Sequence, residues 1–169
     1  MTAGSKVPDF IRYPNPLLSQ PAILRPVDEA MLVCGAQLLA AAREVQAYGL
    51  AATHIGQLEP VIVASLATSP SERDYRLFYN PRITAFSPDS VTAAEGSVSM
   101  PGIEVPVARA SWIELAYDDA DGETSSDRFD GFAARIIQHE TDQMNGVFFL
   151  SRVSRLKRDT ALRKFAKHR

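Results

Sequence analysis

The 169-residue chain predicts an α+β domain, with antiparallel sheets packed around one central helix and a further helix at the carboxy terminus. Three observations lead there. Short runs with strand character follow one another through the middle of the chain. The run 132–144 is rich in helix formers and places Phe132, Arg135/Ile136, His139 and Gln143 on one face at three- and four-residue spacing. A last segment, 151–169, again has helical spacing. With no internal repeat, linker or low-complexity stretch, residues 1–169 read as a single domain.

The elements follow in order. Residues 11–26 hold Pro14, Pro16, Pro21 and Pro26, with Pro8 just before, and predict an extended arm because proline fixes φ and removes a donor. Asp28 is an N-cap for a helix running to about Gln46, along which Met31, Leu32, Leu38, Leu39, Ala42 and Val45 repeat at helical spacing. Cys34 falls inside it and reads as a small buried apolar residue. The glycine-bounded stretch 49–56 predicts a loop of small residues where backbone approaches something closely. Strands are expected over 60–65, 76–80, 92–98, 103–109, 111–117 and 123–129, the last two joined through a turn at Asp121-Gly122. Phe132, Ile136, Ile137 and Met144 make the central helix apolar enough to be buried, and Asn145-Gly146 stops it. In the terminal segment Val153, Leu156, Leu162 and Phe165 are expected to pack inward.

Composition narrows the class of protein. Hydrophobic residues at 46% and charged ones at 22% are ordinary for a globular domain. The single Cys34 excludes an internal disulfide framework and fits a reducing compartment. No apolar run approaches the roughly 20 residues that span a bilayer, and residues 1–6 lack a signal-peptide core. A cytoplasmic monomer without membrane contact is the expectation. The net charge of −2 is unevenly placed: residues 151–169 hold eight Lys/Arg against Asp159 alone, leaving 10 basic and 19 acidic residues elsewhere. That tail is either a solvated terminal helix or a handle for RNA or another acidic surface.

The chemistry centres on Gln138-His139-Glu140-Thr141-Asp142-Gln143-Met144-Asn145-Gly146. His139-Glu140 with Gln143 one turn on is most of an H-E-x-x-H zinc signature, with Gln in place of the second His. The stretch resembles the Q-H-E-x-D-H-L-x-G motif of the peptide deformylases. Residues 49–56, GLAATHIG, are similar to that family's G-L-A-A-P-Q-I-G, and residues 95–102, EGSVSMPG, to its E-G-C-L-S-x-P-G. The three stand in the family's order, and the resemblance runs from Ile11 to Arg158.

The resemblance implies a deformylase-like fold around the central helix. It implies hydrolytic removal of the formyl group from the amino-terminal Met of nascent chains, with a divalent metal (iron or zinc) activating water. The family's metal ligands map onto Ser97, His139 and Gln143, its general acid/base onto Glu140, and its oxyanion donors onto the Val98 N–H and His54. Gly49, Leu50 and Ala51 map onto backbone lining the peptide cleft, and Ile136 and His139 onto the wall around the Met side chain. Met100 continues the strand that pairs with peptide. Arg109 maps onto an arginine near the substrate, with substrate contact and pairing to an Asp both open. Asp142 is expected to be structural, pairing with an Arg or capping a loop. In bacterial members a basic carboxy-terminal helix docks on the ribosome, which adds a ribosomal partner to the nascent peptide.

Two of the three ligand positions are altered. Ser97 offers a neutral hydroxyl for a thiolate, and Gln143 a carbonyl oxygen, a weak donor to zinc or iron. A structural zinc site is worth about 10–16 kcal/mol. Losing half leaves roughly 5–8 kcal/mol, or dissociation constants from a few hundred μM to about 1 μM. The expectation is a degenerate metal site, or no metal at all, with weak or no deformylation and a retained peptide cleft, because strand addition needs main chain and not metal. The alternative is an active N-acyl hydrolase in which His54 and His139 form a two-imidazole site with Glu140 or Asp142. Without metal, Glu140 needs a partner such as His54 or Arg109.

Overall fold

Strand β2 (Val61–Ser65), apolar and buried along its whole length, is flanked on both sides by antiparallel partners. It lies in a five-stranded sheet ordered β1 (Gly49–Ala51), β2, β3 (Tyr75–Phe86), β6 (Trp112–Asp118) and β7 (Thr124–Asp130). β4 (Ser90–Glu95) and β5 (Val105–Ala110) form a second, two-stranded antiparallel sheet. The described residues also form three α-helices: α1 (Glu29–Val45), α2 (Gly131–Met144) and α3 (Arg155–Lys167). The computed structural model describes residues 9–168, so the readings that fall on residues 1–6, Pro8 and Arg169 lie outside the described residues.

Helix α2 is buried on most sides: an apolar stripe packs on the large sheet, and its buried polar residues are held by hydrogen bonds and ion pairs such as Arg135 to Glu95 and Gln138 to Ala110. Ala134, Ile137 and Met144 join β2, β3 and β6 residues such as Ile62, Phe78, Ile113 and Leu115 in one core. Helix α1 covers the other face of the large sheet with Met31, Leu38 and Ala42 against Leu50, Val61 and Val63. It starts as expected, with the Asp28 carboxylate accepting from the Met31 N–H, and stops at Gln46 in a left-handed conformation. Cys34 is fully buried there, which pushes its thiol up to about 12. The arm is extended apart from a turn at Tyr13-Pro14 and a 3₁₀ turn, Pro16–Ser19. Its Ile11 and Tyr13 N–H groups donate to the His54 and Ser99 carbonyls, and its Ala22 N–H to that of Met144. The arm thus ties together the three stretches that carry the motifs.

Several elements differ from expectation. The loop predicted over 49–56 begins with a short strand, β1, and continues as a 3₁₀ turn, Ala52–Ile55. β3 runs on to Phe86, past a register shift at Asn80, whose φ is +48°. The strand expected over 92–98 ends at Glu95. Beyond it Ser99 N–H donates to Ser97 Oγ and Met100 N–H to the Ser97 carbonyl, so the chain turns. The strand expected from 103 begins at Val105.

The terminal segment breaks at Val153, and the Ser154 hydroxyl caps α3 afresh by accepting from the Lys157 N–H. This new start sets the helix phase. Ala161 and Phe165 are buried and Leu162 packs against them, with Val153 partly buried beside that cluster. Leu156 falls on the opposite side, 73% exposed, and does not pack inward.

Candidate functional site

A cavity of about 380 Å³ opens between β1, the β4 end and α2. Helix α2 presents Phe132, Arg135, Ile136, His139 and Glu140 to it, the i, i+3, i+4, i+7, i+8 face of a single helix. Tyr48 and Gly49 form the opposite wall, and Glu95, Gly96, Ser97 and Val98 the third. At one end the Tyr48 and Phe132 rings meet edge to face, 4.9 Å between centroids, with Ile136 beside them. Polar side chains gather at the other end. Gly49 must lack a side chain, since a Cβ there would lie 2.6 Å from Ile136 Cγ2 and 3.0 Å from Glu140 Cγ.

Glu95 is the hub of the polar end. Its carboxylate accepts Nε and Nη2 of Arg109, each at 2.9 Å, Nη1 of Arg135 at 2.7 Å and Nδ1 of His139 at 2.8 Å. Burial opposes its charge, but Arg109 and then His139 overcome it and bring its pKa down to about 2. Since this carboxylate can only accept, His139 Nδ1 carries a proton, and its Nε2 is left as the nitrogen that faces other partners. Arg109 is buried behind the cleft: it bridges Glu95 and Asp142, so the pairing role is the one realised. Asp142 is fully engaged by Arg109 and Arg152 and is not free to ligate a metal.

His54 stands on the 3₁₀ turn, 1% exposed. The Ala51 N–H donates to its Nδ1 at 3.0 Å, and a backbone N–H can only donate, so Nδ1 uses its lone pair and the proton sits on Nε2. Burial, together with the charge of His139, pushes the ring pKa down to about 3 and keeps it neutral. His54 Nε2 and Glu140 Oε1 are both buried without hydrogen-bond partners among the described residues. The partner expected for Glu140 does not form: Arg109 is committed elsewhere, and His54 Nδ1 lies 3.7 Å from Glu140 Oε1. Burial pushes the Glu140 carboxyl up to about 7, against the pull of His139.

Ser97 lines the cavity, its hydroxyl accepting from Ser99. Val98 lines it with an N–H that makes no hydrogen bond among the described residues. Gln143 lies outside the cavity lining, its amide donating to the Leu18 carbonyl at 2.8 Å. Leu50 and Ala51 are fully buried in the core and lie outside the cavity lining, in contrast to the expectation that they line the cleft. Met100 does not continue a strand; its fully buried side chain packs with Phe149, Leu150 and Phe165. Among the described residues no three His, Cys, Asp or Glu side chains gather as a metal site. Glu95, Arg135, Tyr48 and Phe132 enter the site without having been singled out for it. The signal for Arg135 was a charge on the buried face of an apolar helix, and that for Glu95 its place two residues before Ser97.

An α+β fold with a cleft between a sheet edge and an H-E-bearing helix defines the class of chain. The comparisons with known proteins make it specific. The Polypeptide deformylase family model matches residues 7–159, and the chain belongs to that family. A "Peptide deformylase-like" protein of Bradyrhizobium diazoefficiens is 38% identical over 161 residues, 94% of this chain and 92% of that protein. A "Peptide deformylase" of Agrobacterium fabrum is 34% identical over 159 residues, 94% of each. Among solved structures, peptide deformylase from Ehrlichia chaffeensis superposes with a TM-score of 0.87 at 26% identity, covering 96% of this chain and 97% of that one. The Synechococcus elongatus enzyme in complex with actinonin gives 0.85 at 32% identity, covering 96% and 90%.

Proposed function

We propose that this chain binds the amino-terminal stretch of an extended peptide in the deformylase cleft, and that it removes formyl groups weakly or not at all. The family normally uses a divalent metal, and the donors present here do not fit one. Gln143 carries this reading: its amide is tied to the Leu18 carbonyl, away from the cleft, where a metal ligand would have to face His139. Ser97 adds only a neutral hydroxyl already accepting a hydrogen bond. His54 presents Nε2–H, a donor, and would have to give up that proton to ligate.

The same features favour binding. His54 Nε2–H and the Val98 N–H have no hydrogen-bond partner among the described residues, and both residues line the cavity; such donors suit a carbonyl oxygen at the head of a peptide. Tyr48, Phe132 and Ile136 offer the apolar wall for its first side chain, and Gly49 leaves main chain open for strand addition. Equilibrium binding of a labelled N-formyl tripeptide tests this. Phe132→Ala, at a half-exposed position, is expected to weaken binding about tenfold through lost apolar contact, with little change in thermal stability. Unchanged affinity in that variant would remove the cleft from the account.

One observation favours a rearranged hydrolase as the second reading: the orphaned His54 Nε2 and Glu140 Oε1 line the same cavity as His139. Turnover that His54→Ala abolishes would select it. A ribosomal contact is proposed separately for α3, where Arg155, Lys157, Arg163, Lys164 and Lys167 are exposed. Salt-sensitive cosedimentation with ribosomes, lost when Lys157, Arg163 and Lys164 are neutralised, is the expected result. Cosedimentation unchanged by those substitutions would sink it.

A further inference from the structure

Arg135 is a charged side chain on the cavity-facing side of α2, between Phe132 and His139, and is 7% exposed. Its partners account for only part of its hydrogen-bonding capacity. Nη1 donates to Glu95 Oε2 and to the Val107 carbonyl, and Nη2 to the Val91 carbonyl. A guanidinium has five N–H donors, so Nε–H and one Nη2–H have no partner among the described residues. Its one anionic partner among the described residues, Glu95, is shared with two nitrogens of Arg109 and with His139. The other two contacts are neutral carbonyls. A buried cation so sparsely neutralised favours a further acceptor, and a carboxylate takes two N–H donors at once.

The position of Arg135 says where that acceptor would enter. It lines the peptide cleft and also an adjoining hollow of about 250 Å³, bounded by Val91, Ala110, Ser111, Gly131 and Phe132. Phe132 and Arg135 therefore stand between the apolar end of the cleft and this recess. A first side chain lying along Phe132 and Ile136 has an apolar path for its methylenes and a guanidinium at its far end.

We propose that Arg135 makes the side-chain subsite selective for peptides whose first residue is acidic, aspartate or glutamate, in preference to Met. This rests on the peptide-binding reading and adds the substrate class. An uncharged thioether in the same place would leave the two guanidinium donors unpaired and cover part of their solvation.

The test is equilibrium binding of three peptides carrying the same carboxy-terminal label: formyl-Glu-Ala-Ser, formyl-Gln-Ala-Ser and formyl-Met-Ala-Ser. The full chain is expected to bind the glutamate peptide about tenfold more tightly than the other two, as a charge-assisted pair predicts. Arg135→Met, with its thermal transition checked, is expected to abolish that preference and favour Met. If that variant does not fold, Arg135→Lys keeps the charge and is expected to retain a reduced preference for glutamate. Met bound as well as or better than glutamate by the unaltered chain overturns the inference while leaving the peptide cleft intact. A glutamate preference that survives in folded Arg135→Met also overturns it. Binding of none of the three refutes the peptide-binding reading and the inference with it.

Discussion

At the residue scale, the chemistry of His54 and Gln143 is set by the hydrogen bond that each makes at its far side. Gln143 spends its amide on the Leu18 carbonyl, and His54 spends its Nδ1 lone pair on the Ala51 N–H. The second contact has a consequence for pH. Burial holds the folded ring at about 3, well below the usual value near 6.5, so the unfolded chain takes up the proton first. The stabilisation from a neutral His54 is complete above about pH 6.5 and is lost as pH falls toward 3. His54→Gln keeps an acceptor for Ala51 and removes the titrating ring. Between pH 7 and pH 5 the unaltered chain should lose about 2 kcal/mol more than this variant in urea unfolding, at about 1.4 kcal/mol per pH unit for one group. Parallel pH profiles would contradict the buried neutral imidazole.

At the element scale, what holds the site is the arm strapped across the end of α2. Gly146, at φ +80°, lets the chain leave the helix where a Cβ would lie 2.8 Å from the Ser19 carbonyl oxygen, so arm and helix end are in contact. Gln143→Ala leaves the Leu18 carbonyl without its donor and should cost about 1–3 kcal/mol, read as a lower denaturation midpoint. No measurable loss would mean that the contact is incidental, and Gln143 would then be free to face the cleft.

The elements also differ in how well they could be read beforehand. The central helix was legible because its periodicity, its H-E pair and its Asn145-Gly146 stop agree. Asp28 announced α1 equally well. β1 was hidden because the three residues Gly49-Leu50-Ala51 are too few to show alternation and are strand only by pairing with β2. The far half of β3 was hidden by Asn80 and Pro81, where the register shifts. The motif order made His54, Ser97, Val98, His139 and Glu140 legible as neighbours of one cavity, but not that Leu50, Ala51, Met100 and Gln143 lie outside its lining. The hub role of Glu95 and the free donors of Arg135 were not, because both depend on which side chains stand across the cleft.

At the scale of the whole molecule, the family's architecture is kept, and the proposed reading is that its metal chemistry is not. Two sheets, the strap and α2 still shape a cleft with an apolar wall and unpaired donors, and no described helix is long and apolar enough to cross a membrane. Ser97→Cys with Gln143→His is the matching gain-of-function pair, since it returns a thiolate and an imidazole to the two altered positions. The most direct measurement is metal content and formate release from a formyl-Met peptide, both on one anaerobic preparation made with iron and zinc in excess. The account predicts metal far below one equivalent with little or no formate from the unaltered chain, and a rise in both for the double variant. Near-stoichiometric metal with turnover in the unaltered chain would contradict it.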